Sequence, residues 1–545
     1  MSQPNPVGGD FHRRLSLFDA TMLVTGTMIG SGIFIVSSEI ARDVGSSGWL
    51  LVVWVLTGVM TLIGALSYAE LAAMMPQAGG QYVFLREAYS PLWGFLYGWT
   101  CFTVIQTGSI AAVAVAFAKF LGVIVPTLGT EHILYEIRDL NWIITFPVPW
   151  MEEPLTFFER KHFTISSGQC VAVFIVALLS WLNCRGVQEG KWIQNIFTIL
   201  KTGALVLLIV IGVTVALSAE AQQRNFSDLW NGITDTSRYG EVLKFSHFPW
   251  LTILLVVCAA MVGSLFSADA WNNVTFIAGE MKEPKRDLPR SLALGTVLVI
   301  ALYIMANYAY LSALPLHGDK AKVEKLEADR EALAKAVSNP TADERVTEID
   351  KQLAYAGGID LAKEERVGTA IFQRVSPTTG VYFMAIAIMV STFGCVNGMI
   401  LMGARLYYAM AQDRLFFTAA GKLNQRGVPA VGLILQGVWS ILLIFSGGYN
   451  DLLDYVIFAV LFFYVLTVSG LFILRRKLPD VDRPYRAIGY PVLPFLYVVM
   501  CAVIMLALLF VKPVYSWPSF LLVLSGIPVY FLWRGRPIQA ASKPA

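Results

Sequence analysis

Long apolar runs separated by mostly short polar connections set the rhythm of this chain, and that rhythm predicts membrane helices. A helix needs about 20 apolar residues to cross the hydrocarbon core. Twelve runs fit, with approximate cores at 19–39, 48–75, 92–122, 166–184, 192–217, 250–279, 290–314, 378–410, 429–446, 452–474, 489–511 and 517–534. The pattern predicts an all-α polytopic membrane protein with twelve spans, a polar N-terminal tail over 1–18 and a second tail over 535–545. No signal-peptide cleavage pattern follows the first run.

Basic residues orient the spans. Arg185 and Lys191, the group Lys282, Lys285, Arg286 and Arg290, and the groups around Arg414, Arg475 and Arg534 all fall in alternate connections. The intervening short loops are poor in Lys and Arg. The positive-inside rule then places both termini in the cytoplasm, at a plasma membrane or, in a bacterium, the inner membrane.

Two of the predicted outer connections are long. Residues 123–165 carry Trp142, Phe146, Trp150 and Phe157, which suits the membrane interface. Residues 315–377 hold a charged insert, about 315–370. In it Val323, Leu326, Leu333 and Val337 follow a 3-then-4 spacing interrupted by Arg330, and Pro340 breaks the stripe. Thr341 to Glu344 reads as a capping box. Val346, Ile349 and Leu353 continue a second stripe, which Gly357 and Gly358 end. The expectation is a helical hairpin outside the membrane, a solvated decoration more than a docking module for a further partner.

Composition supports the membrane reading. Of 545 residues 56% are hydrophobic and 14% charged, against about 25% charged in a soluble chain. A net charge of +3 gives no case for a nucleic-acid partner. The six cysteines lie in or at the ends of apolar runs, as buried thiols would.

The chemistry sits where the apolar runs are interrupted. Residues 25–34 read TGTMIGSGIF, with Gly30, Ser31 and Gly32 at the centre of the first run. Non-helical backbone at membrane depth is tolerated only where it is buried in protein or lines a cavity, and many transporters use such breaks to bind substrate. The N–H groups around Ser31, Gly32 and Ile33 suit a carboxylate, and the carbonyls near Met28 and Ile29 suit an ammonium. Helix packing is the competing explanation, because Gly26 and Gly30 also form a GxxxG pair. The sixth run tilts the balance. It reads VGSLFSADAWNNVTFIAGE, with Ser267 and Asp269 mid-span, and a carboxylate there costs about 2.5–3.5 kcal/mol on insertion scales. Paired breaks five spans apart suggest two inverted five-helix repeats, 19–217 and 250–474, with the site between them. Spans eleven and twelve, 489–534, would follow.

At these residues the sequence resembles the amino acid–polyamine–organocation superfamily, most closely its L-type amino acid transporter-like branch. The matching stretches are GTMIGSGIF, SYAELAAMMPQAGGQYVFLREAYSPLWGFLYGW (67–99), FSADAWNNVTFIAGEMKEPKRDLPRSL (266–292) and FGCVNGMILMGARLYYAMAQDR (393–414). The resemblance implies alternating access around an amino acid held at the midplane. It places Ser31 and Gly32 at the substrate carboxylate, and the carbonyls of Ile29, Phe266 and Ser267 at the amino group. It makes Phe266 an aromatic lid and puts Asn397 near the substrate. Two departures stand out. Asp269 occupies a position beside the side-chain pocket where mammalian members tend to have glycine. Residues 123–165 contain no cysteine, so the disulfide through which those members join a single-span glycoprotein cannot form, and no such heavy chain is expected.

Lys201 lies nine residues past Trp192 in the fifth run, about 14 Å deeper along a helix. That depth favours a buried cation over a snorkelling one. The resemblance places it against the broken first span, where sodium-coupled relatives of the fold bind a cation. Lys201 would then tether the two helices and remove the need for sodium. Whether it also carries a coupling proton is open from the sequence.

The expectation is a sodium-independent amino acid carrier, with neutral L-amino acids favoured, working by exchange or proton-coupled uptake. A cationic amino acid or polyamine carrier is the alternative, because Asp269 is an acidic candidate for the distal end of such a substrate. An enzyme is disfavoured. There is no metal-ligand spacing and no cofactor motif, and the five histidines lie outside the runs. A channel fits broken helices in one chain less well, and an outward-facing insert argues against a substrate-sensing receptor.

Overall fold

A computed structural model describes residues 13–137, 142–146, 155–160, 163–233, 249–335, 340–446 and 449–534. Most of each predicted tail, residues 1–12 and 535–545, lies outside the described residues. Among the described residues, eleven helices have the length and composition to cross a membrane. The predicted ninth span is the exception. It forms a helix of 15 residues, Ala430–Ile444, about 22 Å long, because the chain turns at Phe445 and Ser446.

The first span opens on a capping box. The Ser16 hydroxyl caps the Asp19 N–H at 3.3 Å, and the Asp19 carboxylate accepts the Ser16 N–H at 2.9 Å. The span is broken in the middle, into Leu17–Met28 and Gly32–Val44. The sixth breaks as well. An α-helix over Pro249–Ser267 gives way to a tighter 3₁₀ segment over Trp271–Glu280. Between these pieces Ala270 has φ +67°, a left-handed conformation rare outside glycine.

Acids near the ends of the core helices meet basic partners. Glu70 pairs with Arg475 at 2.6 Å and Glu280 with the buried Arg405 at 2.8 Å. Asp454 pairs with Lys512 at 2.8 Å. A buried charge persists only when paired and hydrogen-bonded, so these pairs pin neighbouring spans together. All six cysteines are free, and Cys170 is exposed.

The connection over 123–165 departs from an all-helical chain. Ile133–Ile137 pairs antiparallel with Phe163–Ser166, and Trp142–Phe146 with Leu155–Arg160. These segments are rich in β-branched and aromatic residues, which fit a pleated ribbon. The Trp142, Phe146, Trp150 and Phe157 side chains lie outside the described residues.

The insert is a helical hairpin, Lys320–Lys335 and Pro340–Gly357. Leu326 is buried, and Arg330, which breaks the apolar stripe, reaches across to Asp350 at 2.6 Å. The second helix already includes Pro340, so Thr341 is not its N-cap. Proline suits a first helical turn because its missing N–H would have had no helical partner. Val337 lies outside the described residues. The two ends of the hairpin meet where the Asp319 N–H donates to the Ala356 carbonyl at 2.7 Å. Replacing 320–356 with a short Gly/Ser linker is therefore expected to leave substrate affinity unchanged in equilibrium binding to purified protein. A large loss in folded protein would give the hairpin itself a role in the binding site.

Candidate functional site

The two breaks face each other. A Cβ on Gly32 would lie 2.0 Å from Ser267 Oγ and 3.0 Å from Ser267 Cα, so only glycine lets the first and sixth spans approach this closely. Thr27 Oγ1 donates to the Ala270 carbonyl at 3.2 Å. The Tyr303 hydroxyl, from the seventh span Pro284–Ala313, lies 2.9 Å from the Met28 carbonyl and 3.1 Å from the Ser267 carbonyl. One phenol thus spans the loose carbonyls of both breaks.

Gly32 and Ile33 begin the second half of the first span, so their N–H groups have no partner within their own helix. Ser31 is buried, and its hydroxyl donates to Tyr449 at 3.1 Å. Phe266 is half-buried and packs edge-on against the same Tyr449 ring, with centroids 6.2 Å apart. Tyr449 begins the tenth span, Tyr449–Lys477, and closes with Phe266 over the break at Ser31. Gly30 faces Cys395 of the eighth span, Thr379–Gln412, whose thiol donates to the Thr27 carbonyl at 3.1 Å.

Lys201 is fully buried in the fifth span, Val187–Val213. Its ammonium donates to the carbonyls of Gly26, of Ile29 at 2.9 Å and of Ser391 at 3.4 Å. Ser391 donates in turn to the Ile29 and Gly30 carbonyls at 3.2 and 3.0 Å. The carbonyl of Ile29, assigned from sequence to the substrate ammonium, therefore already receives two protein donors. Those of Phe266 and Ser267 receive the Asp269 N–H and the Tyr303 hydroxyl.

Asp269 stands apart from the other acids within the spans. Its Oδ1 accepts from Tyr464 at 2.5 Å, and no Lys, Arg or His forms an ion pair with it among the described residues. It lines a polar cavity of about 20 Å³ with Gln106, Asn273 and Tyr97, room for about one water. Asn397 is buried and accepts from Asn183 of the fourth span at 2.9 Å, and its own amide nitrogen has no partner among the described residues. The structure thus gathers Ile29 through Ile33, Phe266, Ser267 and Lys201 around one point, sets Asp269 beside it, and turns Asn397 toward the fourth span.

Sequence reasoning missed Tyr303, Ser391, Cys395 and Tyr449. Each lies in an otherwise ordinary apolar span or at its edge, and nothing in local spacing marks it. The GxxxG reading also has substance. A Cβ on Gly26 would lie 2.2 Å from Gln194 of the fifth span, so packing and breakage share the same short stretch.

Comparison with known proteins covers nearly the whole chain. The model of a family described as amino acid permease matches residues 15–326 and 353–532, and the unmatched 327–352 fall inside the hairpin. The chain is 28% identical over 532 residues to the human large neutral amino acids transporter small subunit 2, covering 96% of this chain and 82% of that one. It is 25% identical over 530 residues to the human b(0,+)-type amino acid transporter 1, covering 97% and 89%. The mouse Asc-type amino acid transporter 1 is 25% identical over 531 residues, covering 96% and 82%. With the family model matched across the spans and over most of the sequence, this chain belongs to the amino acid permease family.

Proposed function

We propose that this protein carries neutral L-amino acids across a plasma membrane by alternating access, without sodium, with both termini on the cytoplasmic side. The observation that carries the reading is the pair of facing helix breaks. They offer N–H groups at Gly32 and Ile33 to a carboxylate, and the second lone pair of each of the Phe266 and Ser267 carbonyls to an ammonium, while the Ile29 carbonyl is held by Lys201 and Ser391. Residues 19–217 and 250–474 form the two repeats that rock about this point. The relatives' names, neutral amino acid carriers among them, support the substrate class.

A second reading rests on Asp269. A mid-membrane carboxylate with no basic partner among the described residues complements a substrate with a cationic side chain. An uptake panel in proteoliposomes, pairing leucine and glutamine with lysine and arginine, separates the two. Neutral substrates are expected to compete best. Exclusive competition by lysine and arginine would move the assignment to a cationic carrier. The same panel with and without internal amino acid distinguishes exchange from proton-coupled uptake.

Lys201 supplies the sodium prediction. Its ammonium engages the carbonyls of Gly26 and Ile29 at the first break and of Ser391 in the eighth span, the oxygen ligands a small cation would require. Uptake is expected to be unchanged when choline replaces sodium, and a loss of uptake would refute the assignment. A partner subunit, where one exists, would dock without a disulfide through 123–165, which contain no cysteine.

A further inference from the structure

The hairpin's base does more than hold two helices. Below it, residues 357–366 return to the membrane face and meet three different spans at one carboxylate. Glu365 accepts from Arg42 at 2.7 Å, from Lys119 at 3.4 Å and from Asn450 at 3.4 Å. Arg42 lies in the last turn of the second half of the first span. Lys119 lies near the end of the third span, in the helix Gln106–Ile124, and Asn450 directly follows Tyr449.

Other contacts fasten the same corner. Arg42 donates to the Asp360 carbonyl at 2.9 Å, and Ser38 to the same oxygen at 3.2 Å. His317 bridges the Asp360 carboxylate and the Gly45 carbonyl, each at 3.0 Å, and the bond to Asp360 raises its pKa. Glu364 is occupied separately by Arg366 at 2.6 Å. Burial pushes the Glu365 carboxyl up, but Lys119 and Arg42 outweigh it and hold the group below its ordinary value, so it is ionised near neutrality.

We propose that Glu365 is a gate latch. It holds the second half of the first span to the third and tenth spans while the site is closed toward the insert, and it releases when substrate enters from that side. The geometry has two layers. Tyr449 and Phe266 cover the break, and the adjacent Asn450 ties that cover to Glu365. The half-helix carrying Ser31 and Gly32 cannot swing from the third span while one carboxylate grips both Arg42 and Lys119. The proposal rests on the alternating-access reading and gives the insert a part in the transport cycle.

Cys395 is a native reporter, buried beside Gly30. Intact cells expressing the full chain are treated with a membrane-impermeant methanethiosulfonate, and labelling of the Cys395 peptide is followed by mass spectrometry. E365Q and R42Q are expected to label about fivefold faster than wild type, the scale of one partly exposed ion pair. The double variant is expected to label more slowly than the two single effects added would give, because both changes remove the Arg42–Glu365 contact. R330A, which breaks only the hairpin's own pair, is expected to label at the wild-type rate. R42Q tests the contact independently if E365Q does not fold. The latch is overturned, with the transport reading intact, if E365Q and R42Q both transport yet label at the wild-type rate. Additive acceleration in the double variant, or no labelling in any variant, also overturns it.

Discussion

Gly32→Val is expected to abolish substrate binding, by at least about 100-fold or 2.7 kcal/mol, in protein that still inserts. A Cβ at this position would lie 2.0 Å from Ser267 Oγ and 3.0 Å from Ser267 Cα. The hydroxyl can rotate away, but the Cα is backbone, so relief requires the two breaks to separate. Separation moves the N–H groups of the first break away from the carbonyls of the sixth, and a ligand bound by both ends loses one set. Gly26→Val is the companion measurement. Its clash is with the Gln194 and Thr198 side chains of the fifth span, so it is expected to lower thermal stability more than affinity. Isothermal binding and thermal unfolding on the purified variants separate these effects. Normal affinity in Gly32→Val would mean that the glycines serve helix packing alone.

Lys201→Met is expected to stop transport and to cost about 3 kcal/mol of stability, the upper range for hydrogen bonds from a charged donor. Methionine fills much of the lysine volume, so the loss reads the ammonium and not the packing. Its removal strips a donor from the carbonyls of Gly26, Ile29 and Ser391 at once. The Ile29 carbonyl retains Ser391, whereas that of Gly26 faces the gap left by the ammonium. The first span is then no longer tied to the fifth at its weakest point. Uptake in proteoliposomes and thermal unfolding test this together. Wild-type uptake in a stable Lys201→Met protein would make the lysine a passenger.

The spans were legible in the sequence because bilayer thickness imposes a length on every apolar run, and the breaks because Gly30-Ser31-Gly32 and Asp269 violate that run. Lys201 was legible for the same reason, as a charge too deep to reach the surface. What the sequence concealed were contacts made by residues that break no local rule. Tyr303 reads as an ordinary span residue and Tyr449 falls just before the predicted tenth run, and only the fold brings their hydroxyls to the breaks. Asn397 shows the converse. A polar residue in the eighth span suggested the site, yet its partner is Asn183, because helix rotation about its axis is set by packing that no single-run pattern encodes. The ribbons within 123–165 were hidden because two-residue alternation is weak over strands of 4–6 residues. The latch was invisible for a different reason. Arg42, Lys119, Glu365 and Asn450 are spread over more than 400 positions.

The hairpin's closed base has a practical consequence for imaging. Membrane carriers that sit almost wholly within a detergent micelle give particle images few features for alignment. Here two helices leave and return at points joined by backbone hydrogen bonds from Asp319 to Ala356, Ile359 to Pro315 and Asp360 to Leu316. A rigid folded domain whose own termini are helical and adjacent could be spliced in register with both helices. It would stand clear of the micelle as a fiducial while the residues from 357 onward keep their contacts with the first span.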